Sequence, residues 1–243
     1  MKATKKTRWI ALDVLQPGDI VLTGSRESAS TLIQIATGSR YSHAALIVDP
    51  LLWFESVQQG VRFTVPQAFL AETRGMLRCL TEVPAATWIR VQRPNNLHGC
   101  SQDRLYSVQN ALISSTAKQF LLDYPGYENF LDIVRFGLGK TKFAMEVARR
   151  LSRRKTIQYP GLFCSAVAIQ SLRDAGVNAM QGRVCSTVTP GRIAKSAEFS
   201  RIEAFQSPDG AIRAEFSSLN ESLRRNQISS NALANTAMEL APR

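Results

Sequence analysis

Residues 38–57, GSRYSHAALIVDPLLWFESV, decide the fold. His43 to Val48 is a short apolar run closed by Asp49-Pro50, and Trp53 to Val57 is a second run. Short apolar runs bounded by turn residues read as buried strands, and a tight turn between them makes an antiparallel hairpin. Side chains alternate along a strand, so His43, Ala45 and Ile47 share one face, as do Trp53, Glu55 and Val57 on the next. With the turn centred on Asp49, His43 and Glu55 stand six residues to either side of it. They are then direct cross-strand neighbours, with Cβ atoms about 4.5–5.5 Å apart. A carboxylate in that place accepts the imidazole N–H, fixes the tautomer and leaves the other ring nitrogen to a thiol. A one-residue slip would carry Glu55 to the opposite face.

Strands extend outward from this hairpin. Pro17-Gly18 precedes a strand over Ile20–Thr23. Leu32, Ile33, Ile35 and Ala36 fall at helical spacing before a glycine stop at Gly38. Val61–Val65, Met76–Val83 and Thr87–Gln92 read as further strands, joined by tight turns into an antiparallel sheet. From Ser101 the period changes. Leu105, Val108, Leu112 and Ile113 mark a helix, and a second helical stretch follows the break at Tyr124-Pro125-Gly126. Another helix opens at Cys164 and stops at Gly176, and SRIEAF returns one strand to the sheet. Strands followed by helices make the fold class α+β. The expected organisation is a basic segment over 1–14, one main domain over 15–205 (the catalytic domain that the family resemblance given below implies) with a helical insertion at 101–155, and a polar tail over 206–243.

The chain has 243 residues, 44% of them hydrophobic, which suffices for a substantial core. Its formal net charge of +11 favours acidic partners without choosing among them. No stretch approaches the roughly 18 consecutive apolar residues of a membrane span, and no secretory signal follows the basic start. The expected location is therefore the cytoplasm. Export as an effector through a specialised secretion system would leave no legible mark, and peripheral membrane association is the alternative that the basic stretch at 135–155 raises.

The four cysteines, Cys79, Cys100, Cys164 and Cys185, form no C-x-x-C pair, so neither a zinc site nor a disulfide framework is expected. Cys164 differs from the others in its setting, YPGLFCSAVAIQSLRDAG. The exposed N–H groups and positive dipole end of a helix favour a thiolate, as does a neighbouring imidazolium. Pro160-Gly161 would permit a sharp approach that leaves the first helical turn exposed. Ala166, Ile169 and Leu172 would pack against the sheet, with Arg173 and Asp174 facing water. The bland reading is a packed core cysteine and a structural histidine. There are two histidines, and a base would be His43 or His98; His98 lies in a polar RPNNLHGCS loop.

These residues together resemble a known family. GDIVLTGSRESASTLIQIATGSRYSHAALIV, FESVQQGVRFT, YPGLFCSAVAIQSLRDAGV and VTPGRIAKS are similar to the circularly permuted NlpC-type papain-like proteins. The likeness is greatest to the YiiX-like branch, with lecithin:retinol acyltransferase a more distant relative. It runs from about Leu15 to Phe205, with the motifs in the family's order. It implies a permuted papain-like fold, an antiparallel sheet or small barrel packed against helices. It further implies Cys164 as nucleophile, His43 as base and Glu55 as the polar third member. Tyr41, two residues before His43, either lines the substrate pocket or packs at the strand edge.

The implied chemistry is that of a cysteine hydrolase or acyltransferase working through an acyl-enzyme, without cofactor or metal. The first expectation is cleavage of an amide or peptide bond. The second is acyl chemistry on a lipid, as in a phospholipase, thioesterase or acyltransferase. It is motivated by eight Lys and Arg residues between Arg135 and Lys155 against one acid, Glu146. A basic amphipathic helix over 135–155 would lie on an anionic membrane, or else be a solvated face of its own domain. A third reading is a non-catalytic binding module. Nucleic acid is not an expected partner, because no interleaved aromatic and basic stripe is present.

Overall fold

The computed structural model describes residues 8–57, 60–83, 88–121 and 164–206. Most of the expected basic insertion, with Arg135–Lys155 and the Pro160-Gly161 turn, lies outside these residues. So does the tail beyond Gln206.

Ten strands are described: β1 Trp9–Ala11, β2 Ile20–Gly24, β3 His43–Asp49, β4 Leu52–Val57, β5 Gly60–Thr64, β6 Ala68–Thr73, β7 Met76–Glu82, β8 Trp88–Pro94, β9 Phe199–Ile202 and β10 Phe205–Gln206. The helices are α1 Ser28–Thr37, α2 Gln102–Leu121, α3 Cys164–Asp174 and α4 Pro190–Lys195. All strand pairs are antiparallel. The class is thus α+β, and the described strands form two open sheets rather than a closed barrel.

The chain divides into two compact units. One comprises, among the described residues, 15–57, 60–65, 88–121 and 164–203 and carries the six-stranded sheet β5-β4-β3-β2-β8-β9. In β3, Ala44 through Val48 are all buried, which explains a continuous apolar run in place of strict alternation. Leu46 and Phe54 from the sheet join Leu112 of α2 and Ile169 and Leu172 of α3 in the main core. Gly38 ends α1 in the left-handed conformation, φ 60°, with its N–H reaching back to the carbonyls of Gln34 and Ile35. The Pro-Gly-Asp stretch before β2 has a structural role. Gly18 (φ 92°) donates its N–H to Ile47 O, and the fully buried Asp19 carboxylate takes two hydrogen bonds from Arg93, at 2.7 and 2.8 Å. Burial raises the Asp19 carboxyl above its usual range in spite of that partner.

The other unit comprises, among the described residues, 8–14, 66–83 and 204–206, with sheet order β10-β1-β7-β6. Trp9, Ala11, Ala71 and Leu80 form its core, and Trp9 meets Phe69 edge-on at 5.5 Å. Two strands inside the range expected for the catalytic domain therefore belong elsewhere, β6 and β7. Short β1 and β10 have no sequence signal of their own. They exist because β7 and its neighbour satisfy their backbone groups. The Ser-Arg-Ile strand does return to the main sheet, pairing with β8.

Candidate active site

The structure brings together the three residues that the sequence singles out. His43 is the first residue of β3 and Cys164 the first of α3. The imidazole is hydrogen-bonded to the Cys164 sulfur and, through Nε2, to Glu55 Oε2 at 2.8 Å. With Nε2 committed to the carboxylate, Nδ1 is the ring nitrogen left for the sulfur. His98 takes no part; it is exposed beyond a single turn of 3-10 helix at Asn95–Leu97.

The pairing that delivers Glu55 differs from the symmetric hairpin. Ala45, not His43, is opposite Glu55, and the register shifts between Ile47 and Asp49. The turn is centred one residue later than Asp49, so the register moves by two. A shift of two keeps every side chain on its face, and Glu55 becomes a diagonal neighbour of His43. Diagonal neighbours lie about 7–8 Å apart, a gap that a glutamate side chain spans.

Glu55 has further partners that sequence reasoning missed. Arg62 donates to Oε1 from Nε at 2.8 Å and from Nη2 at 2.6 Å, and the Thr64 hydroxyl donates to the same oxygen at 2.7 Å. The signal was present in FESVQQGVRFT. Val57 pairs with Gly60, so Arg62 falls opposite Glu55 and Thr64 two residues further on the same face.

Charge on the pair follows from these contacts. Burial disfavours the imidazolium. The neighbouring Cys164 sulfur, then Glu55, outweigh that penalty and lift His43 from 6.5 to about 10. Burial likewise opposes ionisation of Glu55, but His43, Thr64 and Arg62 hold its carboxyl at about 2. His43 is therefore a cation and Glu55 an anion across the neutral range.

The first turn of α3 is not exposed, contrary to expectation. Cys164 has 5% relative exposure, and Ser165, Ala166 and Val167 are buried with it, because α3 packs on β3, β4 and α2. The imidazole keeps 30% of its side-chain surface, so it is the accessible partner. Ala166, Ile169 and Leu172 are buried as expected, and Asp174 is exposed. Arg173 does not simply face water: it bonds the carbonyls of Ala179, Met180 and Arg183 and the Cys185 sulfur, tying down the following loop.

One segment holds the nucleophile and base arms together. Buried Ser165 donates its hydroxyl to Val188 O at 2.7 Å. Thr189 caps α4 by accepting from the Arg192 N–H, and Pro190 occupies the first turn. Gly191 then packs so closely on Ser39 that a Cβ would lie 2.4 Å from the Ser39 Cβ. Ser39 Oγ accepts from the Tyr41 N–H, two residues before His43. Val188–Gly191 thus spans from the residue after the cysteine to the loop before the histidine. Tyr41 itself is 8% exposed in the main core, with the Arg90 guanidinium 5.6 Å from its ring centroid.

Among the described residues no disulfide joins any of the four cysteines. No group of three or more His, Cys, Asp and Glu among them could hold a metal ion. No described helix is long and apolar enough to cross a membrane. No family model matches the chain, and no curated protein matches it. Among solved structures, the crystal structure of metalloprotein YiiX from Escherichia coli O157:H7, DUF1105, is similar at 16% identity with a TM-score of 0.43. The match covers 78% of this chain and 97% of that one.

Proposed function

We propose that the protein is a cysteine-dependent hydrolase that cleaves an amide or peptide bond. The observation that carries this reading is the linked row of Cys164, His43 and Glu55, with the imidazole bonded to both neighbours. An imidazolium beside a cysteine sulfur favours the nucleophilic thiolate, and a helix start adds to the effect.

In this reading the Cys164 thiolate attacks the carbonyl carbon, forming an S–C bond and pushing an electron pair onto oxygen. The first N–H groups of a helix have no intrahelical acceptor, and those at the start of α3 stabilise the oxyanion. His43 gives its Nδ1 proton to the leaving nitrogen as the C–N bond breaks, leaving a thioester. Neutral His43 then takes a proton from water, whose oxygen attacks the thioester. The C–S bond breaks, and the acid product leaves. Glu55 stabilises the imidazolium and fixes its orientation throughout.

The test is selective alkylation of the thiol. A small electrophile such as iodoacetamide should label Cys164 at pH 7 faster than Cys79, Cys100 and Cys185. Equal labelling of all four, read by peptide mass, would reject the nucleophile. Incubation with peptidoglycan fragments and with anionic liposomes then separates substrate classes. New amine supports the amidase reading, and free fatty acid without new amine replaces it with lipid acyl hydrolysis.

A further inference from the structure

We propose that Arg62 and Thr64 are positioning residues for this site: together they lock the Glu55 carboxylate so that a single oxygen faces the His43 imidazole. The inference rests on the cysteine-hydrolase reading and adds two side chains to its machinery.

The geometry divides the carboxylate cleanly. Oε1 receives the Arg62 Nε and Nη2 groups and the Thr64 hydroxyl, while Oε2 receives His43 Nε2. A glutamate has three rotatable side-chain bonds and loses much freedom when held, so a diagonal reach across the sheet needs an anchor at its far end. β5 supplies it from two consecutive same-face positions, Arg62 opposite Glu55 and Thr64 opposite Trp53. The guanidinium places two of its donors on Oε1 at once, which pins that oxygen more firmly than the single contact of a lysine ammonium.

Arg62 is an exposed residue, its side chain 56% accessible. Exposed ion pairs contribute little to folding, so its place here is not explained by stability. Its charge has a second effect. The groups facing His43 are the Cys164 sulfur from α3 and Glu55 from β4, with Arg62 of β5 behind the carboxylate; β2 places uncharged Thr23 opposite. Arg62 is therefore a competing cation on the anion that stabilises the imidazolium. It tempers the hold of Glu55 on the His43 proton, which must be released to the leaving group.

The experiment compares the full-length protein with Arg62→Gln, Arg62→Lys, Thr64→Val and Thr64→Ser. It reads the iodoacetamide rate at Cys164 at pH 7, the His43 ring titration by NMR, and the thermal midpoint. Arg62→Gln should slow labelling roughly 10- to 100-fold, the scale of a misplaced reacting group, while moving the His43 titration to higher pH. Arg62→Lys should keep the titration in place and still lose rate. Thr64→Val should lose rate, and Thr64→Ser should restore it. In the two Arg62→Gln and Thr64→Val variants the Glu55 titration should rise by about 1–3 pH units as donors are lost. Wild-type rates and titrations in all four, with only the thermal midpoint moving, would overturn the proposal. If Arg62→Gln fails to fold, the Lys and Thr64 variants decide alone. If wild-type Cys164 shows no preferential labelling, the hydrolase reading falls, while the His43 and Glu55 titrations still report whether the lock exists.

Discussion

Two hairpins in this molecule are built by opposite logic. The β6–β7 hairpin runs in unbroken register from Ala68↔Thr81 to Thr73↔Met76. Its two-residue turn, Arg74-Gly75, has positive φ at both positions (52° and 73°), as a type I′ turn requires. The turn matches that register, and the strand ends at Met76 and Leu77 are left exposed. The β3–β4 hairpin is irregular, with a shift between Ile47 and Asp49, and nearly all of β3 is buried. There the turn does not set the register. Burial of Leu46 and Phe54 in the main core does, and it leaves Glu55 diagonal to His43. A regular hairpin is a local object, whereas the irregular one takes its register from what packs on it. The residues of the candidate site stand on the second kind.

That contrast can be broken hardest at the reacting atoms. Cys164→Ala should abolish turnover, and His43→Ala should reduce it by about 10²–10⁴-fold, with the circular dichroism spectrum unchanged in both. Neither substitution should disturb the β6–β7 hairpin; unfolding in place of inactivity would show that the pair is structural.

Glu55→Gln tests the diagonal contact through pH. His43 is raised from 6.5 to about 10, so its stabilising contribution is fully present below pH 6.5 and is lost as pH rises through about 10. Glu55 is lowered from 4.5 to about 2, so its contribution is present above pH 4.5 and is lost as pH falls through about 2. Denaturation of wild type should therefore show both contributions between pH 4.5 and 6.5. In Glu55→Gln that plateau should shrink and the His43 titration should move down from about 10. An unmoved titration would mean that the carboxylate is not felt by the imidazole.

Gly191→Ala sharpens the comparison from outside the sheet. Its new Cβ would lie 2.4 Å from the Ser39 Cβ, so the loop before β3 must shift. The expected cost is about 1–3 kcal/mol in denaturant unfolding, the range for overpacking. Cys164 labelling should slow roughly tenfold at the same time, because the loop carries His43. The smallest effect belongs to the regular hairpin. At Gly75 a Cβ meets nothing within 4 Å, and only the φ of +73° opposes a side chain. Gly75→Ala should cost about 1 kcal/mol and leave Cys164 labelling unchanged. A slowed labelling rate there would show that the two hairpins are not independent.

Most of the site was legible because its signals are local. An apolar run of β3 length, a Pro-Gly turn before β2 and a glycine stop after α1 depend on a few neighbouring residues. Even the wrong turn centre kept Glu55 on the correct face, since side-chain direction has a period of two. The illegible parts are those whose cause lies far along the chain. Arg62 and Thr64 looked like ordinary strand residues until the β4–β5 register set them against Glu55. Arg173 reads as a solvated helix end, yet it closes the loop that returns to Cys185. Ser165 beside the cysteine reads as a small helix residue, yet its hydroxyl anchors the segment that also supports Ser39.

The sequence by itself determined which residue types could do chemistry, on which kinds of element they sit, and the α+β class, because periodicity and turn residues act within a few positions of themselves. Only the tertiary structure decided that β3 and β4 pair with a shift, that Cys164 lies nearly buried beside a half-exposed imidazole, and that β6 and β7 leave the main sheet. Those outcomes depend on which distant side chains fill one core together. Packing compares whole arrangements of the chain, and no short window of sequence contains that comparison.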